Sequence, residues 1–164
     1  MRTRVFVIML SALTLGLPMA AHAQSHAIDP KAPNGWQMLD SLPTYNKLPC
    51  TARMGGAEIN VNLSLNNDGI PFLVLARPDW RDLRGDAVAK VSVDGAAADD
   101  QPVTMIGNLV LALVRDPALV QKLRGGRSVA WTLPIGRFEG RIDGFDGALT
   151  AVTACIVKRD GRGI

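Results

Sequence analysis

Ala57-Glu-Ile-Asn-Val-Asn-Leu-Ser-Leu65, then Asn66-Asn-Asp-Gly69, then Ile70-Pro-Phe-Leu-Val-Leu-Ala76, is the stretch that decides the fold class of this chain. Ala57, Ile59, Val61, Leu63 and Leu65 alternate with Glu58, Asn60, Asn62 and Ser64. A period of two puts the first set on a buried face and the second set in water. Residues 66–69 tolerate positive φ, as a hairpin turn requires. The partner run is apolar almost throughout, and Pro71, lacking an N–H, suits its beginning. An antiparallel hairpin is predicted.

Strand signals continue beyond it. Residues 77–86 read as a charged loop, 88–93 as a strand ending at the turn Asp94-Gly95, and 96–101 as a small-residue connection. Residues 103–114 read as one strand or a pair around Gly107-Asn108, and 128–133 and 137–142 as two more. In the last of these the outward residues are Arg137, Glu139 and Arg141, which discourage edge-to-edge aggregation. Asp116-Pro117 opens a short helix as N-cap and first helical residue, and Gly125 is expected to close it in a left-handed conformation. That helix is expected to lie over a sheet edge. Phe145, Ala148, Leu149, Val152, Cys155 and Ile156 recur at helical spacing and predict a C-terminal helix. Asp143-Gly-Phe-Asp-Gly147 lacks the alternating oxygen ligands and closing Glu of a calcium loop, and reads as a turn with an N-cap Asp. Five to seven short strands and two short helices make the chain mainly β, a compact β-sandwich or open barrel.

The N-terminus carries an address. Arg2 and Arg4 precede an apolar run from Val5 to Leu17, and Ala21-His22-Ala23 supplies an A-x-A cleavage site. Residues 1–23 are read as a signal peptide, with an apolar run shorter than the roughly 20 residues that span a bilayer. No membrane anchor is expected after its removal, so the mature protein is expected in the periplasm or secreted. Residues 24–49 are read as an extended N-terminal arm, with Trp36, Met38, Leu39 and Leu42 pinning its later part, 50–158 as a single β-rich domain, and 159–164 as a polar tail. The full chain has 18 Lys+Arg against 15 Asp+Glu, a net charge of +3. Losing Arg2 and Arg4 leaves 16 against 15, without the basic excess of a nucleic-acid binder.

Cys50 and Cys155 are the only cysteines, and in an exported chain they predict a disulfide joining the start of the body to its end. A loop of that length is stabilised by roughly 4.7 kcal/mol on closure-entropy grounds. A thiolate nucleophile needs a base, usually His. Only His22 and His26 exist, the first in the leader and the second in the arm. A Ser-His-Asp triad and multi-histidine zinc or copper sites are therefore not expected. No cofactor is implied, since neither a dinucleotide-binding nor a P-loop glycine motif occurs. Glu58 and Glu139, the two glutamates, read as solvated strand charges rather than a hydrolase pair. Arg84-Gly85-Asp86 and the sequon Asn62-Leu-Ser64 read as ordinary turn and strand composition.

Trp80 is the candidate contact residue, flanked by Arg77 and Arg81, because exposed Trp and Arg are enriched at binding hot spots. The competing reading folds Trp80 back over the sheet end. Trp131, between Ala130 and Thr132, reads as core.

The leader, Trp36, Leu48-Pro49-Cys50 and the closing Phe145-Asp-Gly-Ala-Leu-Thr-Ala-Val-Thr-Ala-Cys155 resemble the invasion-associated locus B family of small exported alphaproteobacterial proteins. The resemblance implies an exported β-sandwich with no assigned reaction and a link to host-cell invasion. It transfers no functional residues. The expected function is thus a non-catalytic exported domain that binds a protein or envelope component. A carboxylate-based envelope glycan hydrolase and an inhibitor of a periplasmic hydrolase are the alternatives.

Overall fold

The computed structural model describes residues 35–42 and 45–160, without the side chains of 40–42, 45–49 and 160. The expected leader, the first part of the arm and the last four residues lie outside it. Nine strands and two helices follow in the order β1 (Trp36–Leu42), β2 (Tyr45–Met54), β3 (Asn60–Leu65), β4 (Pro71–Ala76), β5 (Leu83–Val93), β6 (Asp99–Gly107), β7 (Leu109–Leu113), α1 (Pro117–Gly125), β8 (Ser128–Leu133), β9 (Gly136–Arg141) and α2 (Phe145–Asp160). All strands belong to one antiparallel sheet, ordered β1-β2-β3-β4-β7-β6-β5-β8-β9. The sheet curls into a half-barrel, so of the two expected architectures it is the open barrel that forms.

The hairpin predicted from residues 57–76 is present. β3 pairs with β4 from Asn60↔Ala76 to Leu65↔Pro71. Asn66 Oδ1 accepts from the N–H groups of Asp68 and Ile70, which closes the turn, and Gly69 supplies the positive φ. The strands differ from expectation at three places. Residues 36–42 and 45–49, expected within an extended arm, are strands that pair with each other and join the sheet through β2. Of the two readings of residues 103–114 the pair forms, as β6 and β7 around Gly107, whose φ is +62°, and β6 already starts at Asp99, inside the stretch expected as a connection. β5 starts at Leu83, so Arg84-Gly85-Asp86 is ladder and not loop, paired with Met105 and its neighbours. Polar composition hid that strand.

The concave face holds the main core. Val61, Leu63, Leu73, Leu75, Val91 and Trp131 are fully buried there, and α2 lays Phe145, Ala148, Leu149 and Val152 across them. Phe145 meets Trp36 edge-on at 6.1 Å, and Trp36 Nε1 donates to the Asp143 carbonyl at 2.9 Å. The predicted disulfide is formed: Cys50 on β2 is bonded to Cys155 on α2, with Cα atoms 5.7 Å apart. It ties the sheet's N-terminal end to the helix filling its hollow.

α1 buries Leu119 and Leu123 in the main core and packs against α2, with its other face exposed. Asp116 caps it as expected, accepting from Ala118 N at 2.9 Å. Its end differs from expectation. Gly125 closes no left-handed turn; the cap is Gly126 in an extended conformation, with φ −83°. Glycine is needed there for space, because a Cβ would stand 2.4 Å from Val93 Cγ1. At α2 the expected N-cap Asp143 instead pairs with Arg141, and Gly144, with φ +77°, makes the turn into the helix.

The outer face departs most from expectation. Asn62 and Ser64, assigned to water by alternation, are each 1% exposed. Neighbouring strands close over them: Asn62 lies between Arg53 of β2 and Val74 of β4. Val74, Leu109 and Leu111 form a second, small apolar cluster on this side, with Phe72 and Ala76 packed against it.

Candidate functional site

The segment leading from β4 to β5 shapes one end of the sheet. Trp80 N donates to the Arg77 carbonyl at 3.2 Å, which turns the chain back on itself. Trp80 is 7% exposed and meets Phe138 of β9 edge-on, with ring centroids 5.0 Å apart. The Arg77 guanidinium stands over the same Phe138 ring at 5.3 Å and pairs with Asp79. Phe138 is thus a pillar that meets both an aromatic ring in a T-shaped contact and a cation, a favourable use of the ring quadrupole. Among the three sequence candidates, Arg77 and Trp80 come together on Phe138. Arg81 stands exposed beside them.

Two shallow depressions flank this pillar. One, of about 380 Å³, is lined by Trp80, Arg81, Phe138 and Ile135. The other, of about 430 Å³, lies between the start of β5 and the β6–β7 turn and includes Arg84 and Ile106. Leu83 lines both, so they adjoin at that residue. Ile106 and Ile135 are 48% and 42% exposed. With Val88 they are the large apolar side chains most open to solvent among the described residues. Arg81 and Arg84 make no ion pair with any described residue, whereas Arg77 and Arg137 are paired with Asp79 and Glu139.

Sequence reasoning found the cations and the indole but missed Ile106, Ile135, Leu83 and Phe138. Ile135 follows a Pro in a turn, a place where a bulky apolar residue has no structural reason to be, and that was the available signal. Phe138 alternates correctly for core, so nothing local marks it as the pillar.

The chemistry such a surface offers is apolar contact framed by two uncommitted guanidinium groups, which suits recognition. The two glutamates are elsewhere and exposed: Glu58 accepts from the Glu139 N–H at 2.6 Å, across the gap between the residues before β3 and β9, and Glu139 pairs with Arg137. Among the described residues no group of three His, Cys, Asp or Glu side chains is placed to hold a metal ion. No described helix is long and apolar enough to cross a membrane. No protein-family model, curated protein or solved structure matches this chain.

Proposed function

We propose that this protein is a periplasmic or secreted, non-catalytic domain that binds a protein or cell-envelope component through the sheet end around Trp80. The supporting observation is the coincidence of exposed Ile106 and Ile135 with uncommitted Arg81 and Arg84 around one shared residue, Leu83. Apolar area of this kind, rimmed by charge, marks interaction sites. Trp80 serves as a support and the contact is made by Arg81, Ile135, Arg84 and Ile106. Export is supported by the leader-like N-terminus and by the disulfide, which fits an oxidising compartment. A hydrolase built on the two glutamates is not favoured: it needs two carboxyls across a substrate cleft, and neither Glu58 nor Glu139 lines the sheet-end depressions.

The test is capture from the native envelope with the disulfide-intact domain. The double variant Arg81→Glu with Ile135→Asp should recover the same partner at least tenfold less well. A Val88→Asp control, outside this surface, should recover it normally. Equal recovery by the double variant would reject the surface.

A further inference from the structure

We propose that Arg53 heads a second binding site, on the convex face of the sheet, for a carboxylate carried on a short apolar chain. It borders the sheet-end depression at Arg77 but uses none of Arg81, Arg84, Ile106 or Ile135. Arg53, Asn62 and Val74 lie side by side on one rung of β2, β3 and β4. Arg53 Nε donates to Asn62 Oδ1 at 2.8 Å, and Asn62 Nδ2 donates to the Val74 carbonyl at 2.8 Å. The amide is 1% exposed and spends both polar ends on this arrangement, so it fixes the guanidinium in place. A buried side chain that serves to aim an arginine is a positioning device.

Only the Nε side of the guanidinium is engaged. Its two amino groups have no acceptor among the described residues, and no described carboxylate pairs with Arg53. Burial pushes its pKa below the usual arginine value, and no neighbouring negative charge opposes that shift. Taking a cation out of water without a counter-charge is costly. Arg53 is only partly withdrawn from water, and an anion on its free amino groups would offset that partial cost.

The surroundings define which anion. A depression of about 220 Å³ opens over the guanidinium, with amides from Asn60 and Asn108 at its sides and Val74, Ala76 and Leu109 as apolar wall. At about 30 Å³ per water, that space holds roughly seven waters, or a carboxylate group carrying a chain of about three or four carbons. The two amino groups left free by the Nε bond match the two oxygens of a carboxylate. A phosphate brings a second negative charge, and the other cation in the lining, Arg77, is already paired with Asp79. A peptide C-terminus and a short fatty acid share the favoured chemistry.

The experiment is an NMR titration of the disulfide-intact protein, following the Arg53 Nε–H and the side-chain amides of Asn60, Asn62 and Asn108. The probes are sodium pentanoate, its neutral isostere pentanamide, acetyl-alanyl-valine and inorganic phosphate. Pentanoate and the dipeptide should give saturable shifts at these groups, and the tighter of the two identifies the source. Pentanamide and phosphate should bind at least tenfold more weakly. Arg53→Gln should weaken pentanoate at least tenfold. Asn60→Asp, which keeps Arg53 but adds a negative charge to the lining, should weaken it at least fivefold and covers the case in which Arg53→Gln fails to fold. Arg81→Glu with Ile135→Asp should leave pentanoate binding unchanged, which separates this site from the sheet-end surface. Equal binding of pentanamide or phosphate, unchanged affinity in Asn60→Asp, or shifts that follow Arg81 and Arg84 would overturn the proposal.

Discussion

The two faces of this single sheet bury their residues in different ways. On the concave face apolar side chains meet a helix, and the closure is reinforced by a covalent clasp. Trp131 Nε1 is the one buried side-chain polar atom without a hydrogen-bond partner among the described residues. On the convex face apolar residues such as Val74 and Leu109 sit beside the buried Asn62 and Ser64, and Asn62 is held by an arginine and a backbone carbonyl. Burial on the first face depends on area removed from water. On the second it depends on completed hydrogen bonds, whose loss costs more than their formation contributes. A period of two therefore states which side of the sheet a residue is on, not whether water reaches it.

Removing the clasp should have one of the two largest effects. Cys50 and Cys155 are 105 positions apart, and loss of a native disulfide typically costs about 2–5 kcal/mol in a small domain. The double variant Cys50→Ser with Cys155→Ser should lower the urea-unfolding free energy by that amount. A loss under about 1 kcal/mol would mean that the helix holds to the concave face without covalent help. Next comes Phe145→Ala, which empties a fully buried site against Trp36 and should cost about 3–5 kcal/mol. The two losses should be less than additive if they loosen the same helix.

Asn62→Ala is the sharper test of the comparison. If the convex face were simply wet, an outward Asn on a strand would be replaceable within about 0.5 kcal/mol. Because Asn62 is buried between Arg53 and Val74, its loss leaves the guanidinium Nε and the depression's wall without their link. A cost of about 1–3 kcal/mol is expected in equilibrium unfolding. A value near zero would make the two faces alike.

What could be read from sequence follows the same division. The β3–β4 hairpin, the Asp116 cap and the Phe145–Ile156 stripe were legible because each depends on residues within one or two turns of the chain. The cysteine pairing was legible because two thiols allow one bond. Burial of Asn62 was not, since it depends on Arg53 and Val74 arriving from neighbouring strands in register. Nor was the choice of Gly126 over Gly125 as cap, which is imposed by Val93 from another element. At the candidate site, Arg77, Trp80 and Arg81 announced themselves by composition. Their support, Phe138, lies far along the chain and looks like any inward strand residue.

The smallest effect is expected at the rim, where neither face extends. Asp94 ends β5 with φ +48°, and its carboxylate accepts from Ser128 N at 2.8 Å, Arg127 N at 3.1 Å and Ser128 Oγ at 3.0 Å. These bonds, the Ser128 backbone N–H foremost, hold its pKa below the ordinary aspartate value. A carboxyl whose folded pKa is depressed adds stability that is fully present above its unfolded pKa, near 3.9, and is lost as pH falls through the folded value. Asn tolerates the same positive φ and keeps one acceptor, so Asp94→Asn isolates the charge. The variant should melt slightly below the parent at pH 7, with the gap closing below about pH 4 as the parent's carboxyl takes up its proton. Neither face buries a carboxylate among the described residues, so acid sensitivity of this kind belongs to the rim. A gap that persists at pH 2 would move the effect from the charge to the shape of the turn.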